Sequence, residues 1–298
     1  PAALRARVLP AWTGLSAALA LGRSLRTVLV IDSGKPCNRF TPYSHNFLTQ
    51  DGQTPGEIAL RARHDLQQYK TVEFFEGQAT AAIKHTGSFL VHTSTGNEFA
   101  GRKLILATGL KDIMPDIPGF AECWGKSVIH CPYCHGYEYS HEPTSVIANG
   151  DHGFHYAGLL SNWTTALKLF TNGPSTITDE HLDKIKNRHI DIIESEIESI
   201  QHEDGQVKAI ITKDGKSFPT KAVYNRPHHV QHSDIPDKLG CELTDSGLVK
   251  VDESQKTSID GVFACGDSSS QFRSVATAVY TGMFSGAMVN MELIKEDF

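Results

Sequence analysis

Val28-Leu29-Val30-Ile31-Asp32-Ser33-Gly34 is an apolar, mostly β-branched run that stops at an acidic residue and a glycine. Four consecutive apolar residues fit a strand buried on both faces, as in a parallel sheet. Two further runs end in the same way: residues 103–107 before Thr108-Gly109, and residues 261–265 before Gly266-Asp267. A fourth, residues 145–148, enters Asn149-Gly150-Asp151-His152-Gly153. Ligands of open α/β sheets bind outside the carboxyl ends of such strands, so each turn is a candidate functional loop. Helical spacing follows from about residue 157 to residue 170, before another strand, and residues 71–95 alternate around His85-Thr86-Gly87 as a hairpin would. Repeated strand–turn–helix units predict an α/β chain with parallel sheets. The second glycine-centred unit, near residue 146, points to two similar nucleotide-type units. Pro115, Pro118 and Gly119, and then residues 227–236, read as hinges, which makes the central part a domain inserted into the first.

Composition narrows the class. Over 298 residues, 40% hydrophobic and 21% charged content is that of a folded globular chain. A net charge of -6 without a basic block argues against a nucleic-acid partner. Arg5 and Arg7 before the apolar residues 15–21 imitate a signal peptide, but Gly14, Ser16 and Gly22 interrupt it and a strand follows at once. A core helix is the better reading, no span approaches transmembrane length, and the expected location is cytoplasmic. Six cysteines are too sparse for a disulfide scaffold, and only Cys131 and Cys134 are close together.

Cys131-Pro132-Tyr133-Cys134-His135 carries the chemistry. Two thiols separated by two residues can close a disulfide at a helix start, where the helix end and the neighbouring thiol favour a nucleophilic thiolate. Exchange then runs through a mixed disulfide, and His135 can take or give the thiol proton. Three other chemistries compete for the same residues. The run also matches a c-type haem attachment pattern, but that needs export, which the poor signal segment speaks against. A structural zinc site could draw on His130, His135, His141 and His155, but there is no second close cysteine pair. Two inert buried thiols would leave the flanking Pro, Tyr and His unexplained.

Asp32, at the end of its strand, can hold the ribose hydroxyls of a dinucleotide. The glycine turn that normally precedes it reads Leu9-Pro10-Ala11-Trp12-Thr13-Gly14, in which only the last glycine is present. Trp12 would crowd the close backbone approach that the middle glycine permits. The helix after Gly266-Asp267, from about residue 274 to 293, is rich in small residues such as Ala276, Ala278, Gly282, Gly286 and Ala287. These allow a flat cofactor or another helix to come close.

Taken together, Gly14-Leu15-Ser16-Ala17-Ala18, Val30-Ile31-Asp32-Ser33-Gly34, Leu106-Ala107-Thr108-Gly109, Cys131-Pro132-Tyr133-Cys134 and Val262-Phe263-Ala264-Cys265-Gly266-Asp267 resemble the thioredoxin reductase-like flavoproteins, in the right order over nearly the whole chain. The Cys-x-x-Cys-His-Gly-Tyr-Glu version is most similar to the branch containing dithiol oxidases of the gliotoxin-oxidase type. The resemblance implies two nucleotide-binding, Rossmann-like domains, the second inserted into the first. FAD would be bound by residues 1–112 and 233–298, with an inserted NAD(P)-type domain at 113–232 carrying the cysteine pair, in a homodimer. It implies Asp32 at the adenosine ribose, Ala107, Thr108 and Gly109 at the diphosphate, and Asp267 at the ribityl–phosphate part. Arg273, Ser274, Val275 and Ala276 would lie near the flavin ring, and Asn46 beside it. Gly14, Ser33, Gly34, Arg39, Ala79 and Gly266 complete the implied FAD set. Cys134 would face the flavin and Cys131 the substrate, a small dithiol or a thioredoxin-like protein.

Two departures from the family pattern shape the expected function. The lost glycine turn at residues 9–13 predicts weakened FAD affinity. The strand Leu167-Lys168-Leu169-Phe170 and the following Thr171-Asn172-Gly173 offer no arginine for a 2′-phosphate, which argues against NADPH. The first reading is therefore an FAD-dependent thiol–disulfide oxidoreductase acting as a dithiol oxidase. An NADPH-dependent thioredoxin-type reductase is the second, and a cofactor-poor binding protein that keeps the fold is the third. No metal site is expected, and Cys37, Cys123, Cys241 and Cys265 read as buried thiols.

Overall fold

The computed structural model describes residues 6–9 and 12–298. Val28–Asp32 lies in a five-stranded sheet ordered Val262–Ala264, Lys103–Leu106, Ala6–Leu9, Val28–Asp32, Val72–Glu76, with every pair parallel. Side chains alternate across a strand, so its apolar runs feed two cores. Val28, Val30, Ile105 and Phe263 pack on one face with Leu15, Ala18 and Leu21 of the helix Trp12–Arg23, and with Val289 and Leu293 of the helix Val275–Asp297. Leu29, Ile31, Leu104, Leu106 and Val262 pack on the other with Phe89, Val91, Ile235 and Cys241.

A second parallel sheet is ordered Asp191–Ile193, Leu167–Phe170, Thr144–Ile147, Ala222–Tyr224, Val128–Ile129. It too is packed on both faces. Tyr156, Ala157 and Leu160 of the helix Gly150–Leu160 lie on one side, and Ile197, Ile200, Val207 and Ile210 on the other. The two sheets share one plan. Each runs strand, helix, strand, helix, strand, then a three-stranded antiparallel meander, then strand. The meanders are Ala79–His85, Ser88–Thr93, Glu98–Gly101 and Ile197–Glu203, Gln206–Thr212, Ser217–Pro219. These are two Rossmann-like domains, each with its nucleotide-type switch point between the first and fourth strands of the plan.

The described chain divides into two compact units. One comprises the described residues up to Arg39 with Gln53–Asp112 and His229–Phe298, and the other comprises Phe40–Gly52 with Ile113–His228. The segment Phe40–Gly52 thus groups with the second unit, whereas the sequence reading kept it in the first stretch.

Local readings are corrected in three places. The helix expected over residues 157–170 is Gly150–Leu160, started by the Asn149 cap, and Leu167–Phe170 is a strand. Short apolar runs fit either period, and the cap decides between them. Residues 71–95 are not one hairpin. Val72–Glu76 pairs in parallel with Val28–Asp32, and the hairpin is Ala79–His85 with Ser88–Thr93. Pro118 and Gly119 are not a free linker, because the Pro118 carbonyl accepts a hydrogen bond from Ile200 N (2.8 Å) and a Cβ on Gly119 would strike Ile200 O. The crossing between units at His228 and His229 falls inside residues 227–236, and Ile235 and Pro236 beyond it are buried in the first unit.

The helices Trp12–Arg23 and Val275–Asp297 cross closely. A Cβ at Gly282 would come within 2.1 Å of the Thr13 carbonyl oxygen, and one at Gly286 within 2.5 Å of the Ala17 oxygen. The small residues seen in the sequence serve this helix–helix approach.

Candidate active site

In the first unit, Asp32, Ala107 and Gly266 stand at or just beyond the carboxyl ends of three parallel strands. The Asp32 carboxylate accepts a hydrogen bond from Gly34 N (2.8 Å) and is also paired with Arg63, a partner the sequence reading missed. Ser33 and Gly34 form the exposed turn beyond it, and Arg39 Nη1 donates to Pro36 O (3.1 Å). Ala107 is buried, Thr108 follows it, and Gly109 sits in the left-handed region at φ 69°. The Thr108 hydroxyl oxygen is buried without a hydrogen-bond partner among the described residues. Gly14 is buried in the first helix, and Ala79 opens its meander strand. The turn before that helix includes Pro10 and Ala11, which lie outside the described residues. Trp12 begins the helix, and its Nε1 donates to Asn38 Oδ1 at 3.4 Å.

Gly266 N donates to Thr281 Oγ1 (3.0 Å). Ser274 caps the 23-residue helix by accepting from Thr277 N (3.1 Å), with Val275 and Ala276 in its first turn. Arg273 makes a two-pronged pair with Asp112 (2.7 and 3.0 Å) and a third contact with Asp267 (3.3 Å). Burial works against charge on Arg273, but the two carboxylates outweigh it and hold its pKa above the ordinary value. Burial likewise pushes the Asp267 carboxyl up, with Arg273 pulling it back. Cys37 is exposed rather than the buried thiol read from the sequence, but its Sγ turns inward to contact Leu110 O (3.2 Å) beside this cluster, where desolvation of the sulfur followed by Asp267 raises its pKa.

In the second unit, Cys131 and Cys134 form a disulfide with Cα atoms 5.3 Å apart. Cys131 is the cap of Pro132–His135, a helix of one turn. So short a helix aligns few peptide dipoles, and the helix-end contribution to thiolate stability is smaller than the sequence reading supposed. Tyr133 is exposed and meets Trp163 edge-on (5.8 Å), and Tyr137 is exposed nearby. Burial lowers the pKa of His135, with Glu138 opposing and His45 adding to the fall. Asn46, implied to be a flavin neighbour, lies in the Phe40–Gly52 segment of this unit, next to His45. Among the described residues no cluster of three or more His, Cys, Asp or Glu could hold a metal ion. No described helix is long and apolar enough to cross a membrane.

The turn after Thr144–Ile147 is filled by its own side chain. Asn149 Oδ1 accepts from Gly150 N (2.8 Å), Thr176 N (2.8 Å) and Thr176 Oγ1 (3.1 Å), while its Nδ2 donates to Pro174 O (2.9 Å). Asp151 adds an exposed carboxylate to the first helical turn. A phosphate approaching this helix start would meet a satisfied N–H group and a negative charge.

This combination of two Rossmann-like units, a disulfide turn in the second and a strand-end acid in the first matches a known family model, Pyridine nucleotide-disulphide oxidoreductase, over residues 11–282. The chain belongs to the pyridine nucleotide–disulphide oxidoreductase family. It is accordingly a flavin-dependent disulfide oxidoreductase, and family membership implies use of FAD and NAD(P)H. Thioredoxin reductase tcpT of Claviceps purpurea is 33% identical over 294 residues, 95% of this chain and 92% of the relative. The crystal structure of an oxidoreductase from Agrobacterium tumefaciens has a TM-score of 0.92 at 34% identity, covering 98% of this chain and 99% of that one. The structure of HlmI has a TM-score of 0.92 at 31% identity, covering 99% and 93%. These neighbours match the thioredoxin reductase-like, gliotoxin-type branch identified from the motifs.

Proposed function

We propose that the protein is an FAD-dependent dithiol oxidase in which the Cys131–Cys134 disulfide accepts electrons from a substrate dithiol. The carrying observation is a formed disulfide in the same unit as a nucleotide turn filled by Asn149 and fronted by Asp151. Between residues 113 and 228 the arginines are Arg188 and Arg226, and neither follows the strand Leu167–Phe170 directly. This supports dithiol rather than NADPH as the electron source.

In the proposed exchange, a substrate thiolate attacks Cys131 Sγ, the Cys131–Cys134 bond breaks, and Cys134 leaves as a thiolate. The second substrate thiol loses its proton and attacks the substrate sulfur of the mixed disulfide, which releases the Cys131 thiolate. The substrate has lost two electrons and two protons, and the cysteine pair holds the electrons. His135, whose pKa is lowered chiefly by desolvation, can accept a thiol proton. FAD, when bound, supplies the two-electron relay from the pair to dioxygen. The first unit fits that group. Asp32 offers a carboxylate for ribose hydroxyls, the unpartnered Thr108 hydroxyl and left-handed Gly109 suit a diphosphate, and Arg273 supplies a fixed cation. Tyr133 and Tyr137 offer aromatic faces to a small dithiol or to an apolar patch of a thioredoxin-like protein.

The name of the Claviceps relative favours a second reading, NADPH-dependent reduction of a thioredoxin-type disulfide. Anaerobic titration separates the two. Under the proposal dithiothreitol bleaches the flavin band stoichiometrically and NADPH does not; bleaching by NADPH alone would overturn it. We also propose a homodimer, supported by Tyr280, Met283, Met291 and Ile294, which stand exposed along Val275–Asp297 at helical spacing.

A further inference from the structure

The turn Ser44-His45-Asn46 was read from the sequence for its asparagine, but its histidine has the more informative surroundings. The His45 and His135 rings lie edge-on with centroids 6.2 Å apart. His45 Nε2 is 3.4 Å from Glu138 Oε1, and its Nδ1 is 3.5 Å from Asp51 Oδ2. The loop is folded back on itself to hold this arrangement. Asn46 takes a left-handed backbone (φ 60°) and its N–H donates to Asp51 Oδ1 at 2.7 Å, while Gly52 N–H donates to Ser44 O at 2.9 Å. The His45 side chain is 21% exposed and Asp51 65% exposed, so the cluster runs from the neighbourhood of the redox turn to solvent.

We propose that His45, clamped between Asp51 and Glu138, is a positioning residue that sets the proton affinity of His135 during thiol–disulfide exchange at Cys131–Cys134. The inference rests on the exchange chemistry proposed above. Each turnover takes two protons from the substrate thiols, so the base that receives them must be neutral on arrival and must be emptied before the next cycle. The charges facing His135 act in opposite directions: the Glu138 carboxylate favours a proton on His135, and an imidazolium at His45 disfavours one. The thiols of Cys131 and Cys134, which titrate beside His135 once the disulfide opens, are the same in the wild type and in both variants below. Tyr224 donates its hydroxyl to the His135 carbonyl (3.4 Å), and burial raises the pKa of both Tyr224 and Tyr139, leaving them uncharged. The balance therefore lies between His45 and Glu138, and Asp51 holds the former.

The test is a pH series of the anaerobic reduction of the disulfide in holoenzyme by excess dithiothreitol. Samples are quenched with acid, new thiols are counted by alkylation and mass, and rates are divided by the reagent's thiolate fraction. His45→Asn removes the ring that opposes a proton on His135, so the acid limb should move to higher pH, with a rate loss of roughly threefold on that limb. Glu138→Gln removes the anion and should move the limb to lower pH, with a gain of similar size. Glu138 is partly exposed, so this second variant does not depend on His45→Asn folding well. A structural role would slow both variants at all pH values; opposite displacements support the proposal. A wild-type limb that neither variant moves, or that both move the same way, overturns the inference alone. A wild-type disulfide that ignores dithiothreitol overturns the exchange reading and this inference with it.

Discussion

Replacing Gly282 by alanine places a methyl group where the helices Trp12–Arg23 and Val275–Asp297 meet. In an isolated helix the change would stabilise by about 1 kcal/mol, because glycine loses more backbone freedom on folding. Here the new Cβ would lie 2.1 Å from the Thr13 carbonyl oxygen and 2.9 Å from its carbon. Both are main-chain atoms, which cannot swing away as the end of a side chain can. Restoring a normal contact requires a displacement of about 1 Å, and overpacking of this kind costs about 1–3 kcal/mol or more. At the upper end of that range the net loss is about 2 kcal/mol, a fall of roughly 4–8 °C in the melting transition of the first unit. Gly158→Ala is the matched control, since nothing lies within 4 Å of its Cβ position in the helix Gly150–Leu160. That variant should gain up to about 1 kcal/mol. Scanning calorimetry of both proteins checks the pair. A Gly282→Ala protein that melts at or above the wild type, or two variants that shift together, would refute the close-approach argument.

Lys103 is buried between Glu292 and Glu296, and Lys256 also pairs with Glu292. Burial alone would raise both carboxyls, but the lysines, joined at Glu296 by Arg102, outweigh it and hold both below the ordinary value. Carboxyls depressed in the folded state give stability that is complete above their unfolded pKa and is lost as pH falls through the folded one. Unfolding midpoints across an acid pH series should therefore drop below about pH 4, near the unfolded glutamate value, and Lys103→Met should flatten that drop while costing about 3 kcal/mol at neutral pH. Asn149→Ala removes a cap and its stitches to Thr176 and Pro174, and should cost about 1–2 kcal/mol in the second unit without making the flavin respond to NADPH. Cys131→Ser should retain flavin and lose bleaching by dithiothreitol; a variant that bleaches at the wild-type rate would remove Cys131 from the proposed exchange. Tyr280→Glu combined with Met291→Glu should halve the mass seen by light scattering if the exposed face of the last helix joins two copies.

The parts of the fold that were legible in the sequence are those decided locally. Val28–Asp32, Lys103–Leu106 and Val262–Ala264 were readable because an apolar run stopping at Asp or Gly has few alternatives. The final helix was readable from its small residues after Gly266-Asp267. What escaped was set by topology. Arg63 reaches Asp32 across 31 positions and Arg273 reaches Asp112 across 161, and no spacing rule pairs residues that the sheet order brings together. Val72–Glu76 looked like half of a hairpin because alternation does not distinguish an edge strand of a parallel sheet from a hairpin strand. His45 went unnoticed because its significance lies in Glu138 and His135, far along the chain.

The grouping of Phe40–Gly52 with Ile113–His228 bears on how this protein can be inherited or cut. A recombination that transferred residues 113–228 as one block would deliver the disulfide and Glu138 but leave His45 and Asp51 behind. The reactive turn would arrive without part of its surroundings, and the recipient would have to supply them anew. The second unit is thus discontinuous as a heritable module. Its thirteen-residue outlier couples the ancestry of the two halves more tightly than a plain insertion would.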